Sequence, residues 1–157
     1  MINIALILVA FSFMEFVAWV NHKYVMHGFL WKWHVDHHRK DHQQPLPEKT
    51  GDKRIEKNDL FFLVYAIPAI TLLITGFSIS YYPIVYIGVG ITLYGLTYFV
   101  IHDVIIHKRV NVPFLQKNQP SWLRAVINAH KAHHWPKSKD DFHNFGLLVF
   151  PRRFLKM

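Results

Sequence analysis

The sequence predicts an all-α integral membrane protein, a helical bundle whose cytoplasmic end carries a histidine-rich cap for two metal ions. Three observations lead there. Apolar runs of membrane length occur three times, every lysine and arginine is kept out of them, and ten of the twelve histidines fall into four short motifs on one side of those runs. The 157 residues suit one domain, 1–157, and their 52% apolar content coexists with a net charge of +8 only because the two separate along the chain.

The first run, "INIALILVAFSFMEFVAWV" (2–20), is about 28 Å long as a helix, the thickness of a bilayer core. It lacks the positive n-region and small-residue cleavage site of a signal peptide. "LFFLVYAIPAITLLITGFSIS" (60–80) and "PIVYIGVGITLYGLTYFVI" (83–101) supply two more spans, joined by "YYP". Asn58 and Asp59 stand where they would cap the second span. Pro68 should bend that helix without ending it, since neighbouring groups in a membrane bundle re-satisfy the freed carbonyl.

Charge sets the expected orientation. All eighteen Lys and Arg lie in 21–59 or after residue 101. By the positive-inside rule the N-terminus faces out, and the segments 21–59 and 102–157 face the cytoplasm. Moving one such cation to mid-bilayer costs about 2.5–3.5 kcal/mol. Every histidine follows to the cytoplasmic side, so three distant stretches meet at one membrane face.

The absence of cysteine excludes disulfides, iron–sulfur clusters and zinc–thiolate or haem–thiolate sites, leaving imidazole and carboxylate as metal ligands. "HKYVMH" (22–27) and "HDVIIH" (102–107) are H-x4-H pairs; "HVDHH" (34–38) and "HKAHH" (130–134) are H-x2-HH motifs. On a helix the latter put three rings on one face, able to serve one metal or bridge toward two. The H-x4-H rings point roughly 140° apart on an ideal α-helix. They converge only if the helix ends, unwinds or carries a π-bulge, so irregular backbone is expected at 22–27 and 102–107.

Ten neutral imidazoles exceed the needs of one ion, because zinc takes roughly four ligands and iron roughly five or six. Two metals fit. Metal-bound imidazoles usually donate their outer N–H to a carboxylate or carbonyl, and Asp36, Asp41, Asp103, Asp140 and Asp141 lie near enough in sequence, Asp103 foremost. Glu15 sits inside the first span, seven residues before His22 and on nearly the same face. It is expected to accept from His22 or else to bridge helices, an intramembrane carboxyl being a functional candidate by default. His42 and His143 fall outside the motifs and are expected at solvent or as outer partners.

The stretches "HKYVMHGFLWKWHVDHH", "NDLFF", "YGLTYFVIHDVIIHKR", "AHKAHH" and "FGLLVFP" resemble bacterial β-carotene hydroxylases, within the wider fatty acid hydroxylase and sterol desaturase superfamily. The resemblance runs from about residue 14 to 151. It implies a membrane-bound non-haem di-iron monooxygenase using O2 and electrons from a ferredoxin-type donor or reductase chain. The reaction implied is 3-hydroxylation of β-ionone rings, taking β-carotene to β-cryptoxanthin and then zeaxanthin. The ligand set implied is His22, His27, His34, His37, His38, His102, His107, His130, His133 and His134. Two departures, Val104 in place of a glycine and "KRVNVPF" without a tryptophan, bear on substrate preference and not on the metal chemistry.

Elementary chemistry agrees with that implication. An unactivated C–H bond in a lipid offers no handle to acid, base or nucleophile, whereas redox-active iron can bring O2 to bear on it; zinc cannot, although it can replace iron in a purified protein. Phe13, Phe16, Tyr94 and Phe99 either line an approach from the bilayer or pack helices. Lys108, Arg109, Lys131, Lys137 and Lys139 flank the motifs and would steer an acidic donor, over and above attraction to anionic headgroups. "FGLLVFPRRFLKM" is too short to span and should lie in the interface, and Trp19, Trp31, Trp33, Trp122 and Trp135 mark its aromatic belt.

Other classes fit less well. A ketolase, fatty acid hydroxylase or desaturase would use the same histidines. A metal carrier would place ionisable ligands at mid-bilayer, where only Glu15 stands. A bis-imidazole haem leaves eight of the ten motif histidines unused. No nucleic-acid partner is expected. The expected location is a bacterial inner membrane, multi-pass, since no plastid transit extension precedes the first span.

Overall fold

A computed structural model describes residues 2–41, 57–117, 119–136 and 142–156, with backbone only for 2 and 39–41. His42, Lys137, Lys139, Asp140 and Asp141 lie outside the described residues, as does the side chain of Asp41. All regular structure among the described residues is helical.

Helix α1 (Ile2–Val20) runs without interruption into a π-helix, Asn21–Phe29. The chain turns at Gly28 (φ −99°, ψ −122°) into α2 (Trp31–Asp41). A 3-10 turn, Lys57–Phe62, leads into α3 (Leu63–Ser78), and α4 (Tyr82–Tyr98) returns antiparallel to it. A second π-helix, Phe99–Ile106, prolongs α4. Short α5 (Pro113–Gln116), α6 (Ser121–His134) and a final 3-10 turn, Arg152–Lys156, complete the chain.

Among the described residues, three helices are long and apolar enough to cross a membrane: Asn3–Phe29, Lys57–Ser78 and Tyr82–Ile106. They contain nearly all of the expected spans, and both expected irregularities are present as the π-helices that extend the first and third. Pro68 stays inside α3, which continues through it. The capping expectation fails. Phe62 occupies the N-cap of α3 with no side-chain cap bond, because a helical turn already precedes Leu63 and offers carbonyls to its first N–H groups. Asn58 and Asp59 serve the site described below.

Helix α4 is the centre of the bundle, with α1 on one side and α3 on the other. Its glycines set the spacing. A Cβ at Gly90 would stand 2.5 Å from the Ile7 carbonyl oxygen and 2.8 Å from Ala10 Cβ, and one at Gly88 would meet Leu73 Cγ at 3.0 Å. Small residues let membrane helices approach closely enough for dispersion to hold them, where lipid supplies no hydrophobic drive. Met14, Ala18, Tyr65, Ala69, Ile91 and Tyr94 fill the contact.

A second cluster, Ile101, Ile105, Leu123, Val126 and Leu147, binds the end of α4 to α6 and to the chain after residue 142. The last segment folds back onto the protein: Leu147 is buried and Phe154 packs on Ala125 and Ala129 of α6, while Val149 and Leu155 stay exposed beside the basic side chains.

Candidate metal centre

Nine of the ten motif histidines gather into two groups, each with its ring nitrogens within 4.8 Å of one another. Cage one holds His22, His27, His34, His38 and His133; cage two holds His37, His107, His130 and His134. His102 stands at the edge of cage two, its ring centroid 4.4 Å from that of His107 and 5.1 Å from that of His37.

Local backbone explains this. The i→i+5 bond of a π-helix brings residues five apart over one another. His107 N–H donates to the His102 carbonyl at 2.9 Å, and Leu30 N–H to that of Val25 at 2.9 Å. The H-x2-HH motifs behave differently from a single-metal face. Positions i+3 and i+4 diverge by about 100°. His34 and His38 therefore turn to cage one while His37 turns to cage two, and on α6 His133 faces cage one while His130 and His134 face cage two. Helices α2 and α6 thus stand between the cages, with His38 and His134 stacked at the seam, 4.2 Å apart.

Within cage one the Nε2 atoms converge. His22 and His34 approach to 3.1 Å, His38 and His34 to 3.1 Å, His38 and His27 to 3.1 Å, and His27 and His133 to 3.0 Å. The outer nitrogens face oxygen acceptors. His22 Nδ1 donates to the Phe145 carbonyl at 2.9 Å, His34 Nδ1 to Asn58 Oδ1 at 2.6 Å, and His133 Nδ1 to the His143 carbonyl at 2.7 Å. An acceptor there forces the proton onto Nδ1 and leaves Nε2 as a bare lone pair. His22 and His34 consequently point lone pair at lone pair, an arrangement that needs a cation.

Protonation does not supply it. Burial first, and then neighbouring imidazoles, push His34 down to about 3 against the opposing pull of Asn58; burial and His27 push His133 down to about 2. His37 and His130 are also held well below the ordinary range by burial, followed by His107 and His134 respectively.

The acidic candidates divide. Asp103 Oδ2 lies 3.5 Å from His102 Nδ1 and its other oxygen accepts from Arg109 at 3.0 Å. Arg109 also grips Asp59 in bidentate fashion, at 2.5 and 2.7 Å. The Asp59 bonds hold its guanidinium above the usual range. Arg109 is accordingly a clamp between the neighbour of Asn58 and the neighbour of His102, not a free docking cation. Asp36 is exposed on α2.

Glu15 does not accept from His22. Its Oε2 accepts from the Tyr94 hydroxyl at 2.6 Å and its Oε1 from the N–H groups of Leu148 and Val149 at 2.9 and 3.0 Å. It bridges α1, α4 and the C-terminal segment. Tyr94, fully buried, cannot line an approach from lipid, whereas Phe13, Phe16 and Phe99 are exposed.

Sequence reasoning missed the cover of cage one. Phe142 lies over His27 at 4.5 Å and Phe145 over His133 at 5.0 Å, with Trp31 against His27 at 5.0 Å. It also missed Asn58 and the two backbone carbonyls. The "NDLFF" and "FGLLVFP" stretches were the available signal, since the resemblance rests on them while their local reading is only a helix cap and an interfacial segment.

The fatty acid hydroxylase family model matches residues 7–152. The chain is 36% identical to a β-carotene hydroxylase of Pantoea ananas over 95% of its length and 78% of the relative's. It is 34% identical to one of Pseudescherichia vulneris, covering 94% and 77%, and 35% identical to one of Paracoccus sp., covering 96% and 86%. No solved structure matches.

Proposed function

This chain belongs to the fatty acid hydroxylase family, and on that footing we propose that it is a β-carotene 3-hydroxylase, an O2-dependent di-iron monooxygenase of β-ionone rings. The two cages are the proposed iron sites, with His102 completing the second. The observation that carries this is the pair of opposed Nε2 lone pairs on His22 and His34, each fixed by an outer acceptor. Five donors in cage one exceed a tetrahedral set, which suits iron better than zinc.

Bound iron would supply the redox chemistry by which O2 and two electrons act on an unactivated C–H bond. The chain's own residues do the rest. Outer acceptors on His22, His34 and His133 orient each ring and raise its basicity. Phe142, Phe145 and Trp31 keep water off cage one. Exposed Phe13, Phe16 and Phe99 face the side from which a bilayer-dissolved carotenoid would arrive. The proposed setting is a bacterial inner membrane with the N-terminus outside and the cages on the cytoplasmic side, where exposed Lys108 and Lys131 would receive an acidic ferredoxin-type donor.

Expression in cells that accumulate β-carotene and hold a competent reductant tests the reading. Extracted pigments should include β-cryptoxanthin and zeaxanthin, and both should vanish on His37→Ala or His133→Ala. Unchanged β-carotene would overturn the proposal, and keto products would move it to a ketolase.

A further inference from the structure

The segment after residue 142 crosses the mouth of cage one as a strap. It has no regular structure before Arg152, yet it supplies two acceptors to metal-facing imidazoles, the carbonyls of His143 and Phe145. A strap without its own ladder must be held from outside. Part of the hold is apolar, through Leu147, and part is Asn144, in the left-handed region at φ 60°, whose side chain donates to the Ala129 carbonyl at 3.3 Å.

The remaining anchor is inside the membrane span. Glu15 accepts both consecutive N–H groups of Leu148 and Val149, and Tyr94 holds its other oxygen. The fit is close enough to dictate a residue of the strap. A Cβ at Gly146 would stand 2.7 Å from Glu15 Oε1 and 3.1 Å from the Val149 carbonyl oxygen. Glycine is therefore needed where the strap passes over the carboxyl. Phe145, which accepts from His22, is the residue immediately before it.

We infer that Glu15 is a positioning residue for cage one, acting through the 142–149 strap: it fixes the carbonyls that set the tautomers of His22 and His133. The inference rests on the cages being metal sites. It accounts for a buried carboxyl seven residues from His22 that nonetheless makes no bond to it. It also gives Glu15 a selective role, because the strap's rings, Phe142 and Phe145, meet His22, His27, His38 and His133, all of cage one.

The test is a titration of the full chain, in detergent micelles, with Co2+ alone, followed by its d–d absorption. Each cage is isolated in turn by stripping the other of most of its ligands, cage one in a His107→Ala/His130→Ala/His134→Ala background and cage two in a His27→Ala/His34→Ala/His38→Ala background. In the first, Glu15→Leu and Gly146→Ala should each weaken Co2+ binding 10- to 100-fold, the usual consequence of losing an outer partner of a ligand. Glu15→Gln should stay within a few-fold of the parent, since its amide oxygen still accepts from Leu148 and Val149 and its NH2 can donate to the Tyr94 hydroxyl. In the second background none of the three should change affinity.

Equal weakening of both cages would reduce Glu15 to a general folding contact and overturn the inference. So would unchanged cage-one affinity in Glu15→Leu. If the unaltered protein takes up no Co2+ at either cage, the metal reading fails first and this inference with it.

Discussion

At the scale of single residues, the protein's unusual feature is a set of histidines kept neutral by burial among one another. Relative to an unfolded value near 6.5, His34 sits at about 3 and His133 at about 2, chiefly through burial. A lowered folded-state value means that the unfolded chain binds more protons between pH 3 and 6.5, so stability must fall as pH falls through that window. Each such histidine contributes a slope of about 1.4 kcal/mol per pH unit. The metal-free protein should therefore lose stability steeply on acidification, followed as the denaturant midpoint from pH 7 to pH 4. His34→Gln should make that slope shallower by about one proton's worth, and an unchanged slope would show that His34 is not buried neutral. The residue scale is also where sequence was most and least informative. The histidines announce themselves by spacing. Their acceptors do not, because a carbonyl such as that of Phe145 belongs to every residue alike, and Asn58 looked like a cap until the turn before Leu63 removed the need for one.

At the scale of elements, the two π-helices decide whether the H-x4-H pairs can ligate at all. Each was legible, since five residues of ideal α-helix would aim the rings apart. The division of each H-x2-HH motif between cages was not, because spacing fixes the angle among three rings but not which helix stands opposite. That required α2 and α6 to meet, with His38 stacked on His134. Inserting one alanine after Val104 would set His102 and His107 six residues apart, a spacing that neither an α-helical nor a π-helical turn aligns, so that His107 swings away from His130, which it now meets at 3.0 Å. The expected outcome is loss of metal from cage two and retention in cage one, read as one bound ion per chain in place of two. Retention of both ions would mean that the spacing of the two rings is incidental to ligation.

At the scale of the whole molecule, one asymmetry organises everything. The three membrane-competent helices carry their apolar side chains outward, and all eighteen lysines and arginines lie beyond the stretches read from the sequence as spans. The bundle thus has one basic end, and the cages sit at that end. A field of that sign should draw an acidic electron donor by long-range attraction, which acts on the rate of encounter more than on the final affinity. Ionic strength is the natural probe, since the screening length shrinks from about 30 Å at 0.01 M salt to about 10 Å at 0.1 M. The second-order rate of reduction by an acidic ferredoxin should fall several-fold over that range. Lys108→Glu with Lys131→Glu should slow it further and flatten the salt dependence, because both side chains are exposed and flank the cages. Arg109→Ala is the contrasting case. Its guanidinium is already held by Asp59 and Asp103, so its loss should disturb metal retention near Asn58 and His102 while leaving the salt slope nearly intact. A reduction rate indifferent to salt in the unaltered protein would leave the basic end to lipid headgroups and membrane orientation alone.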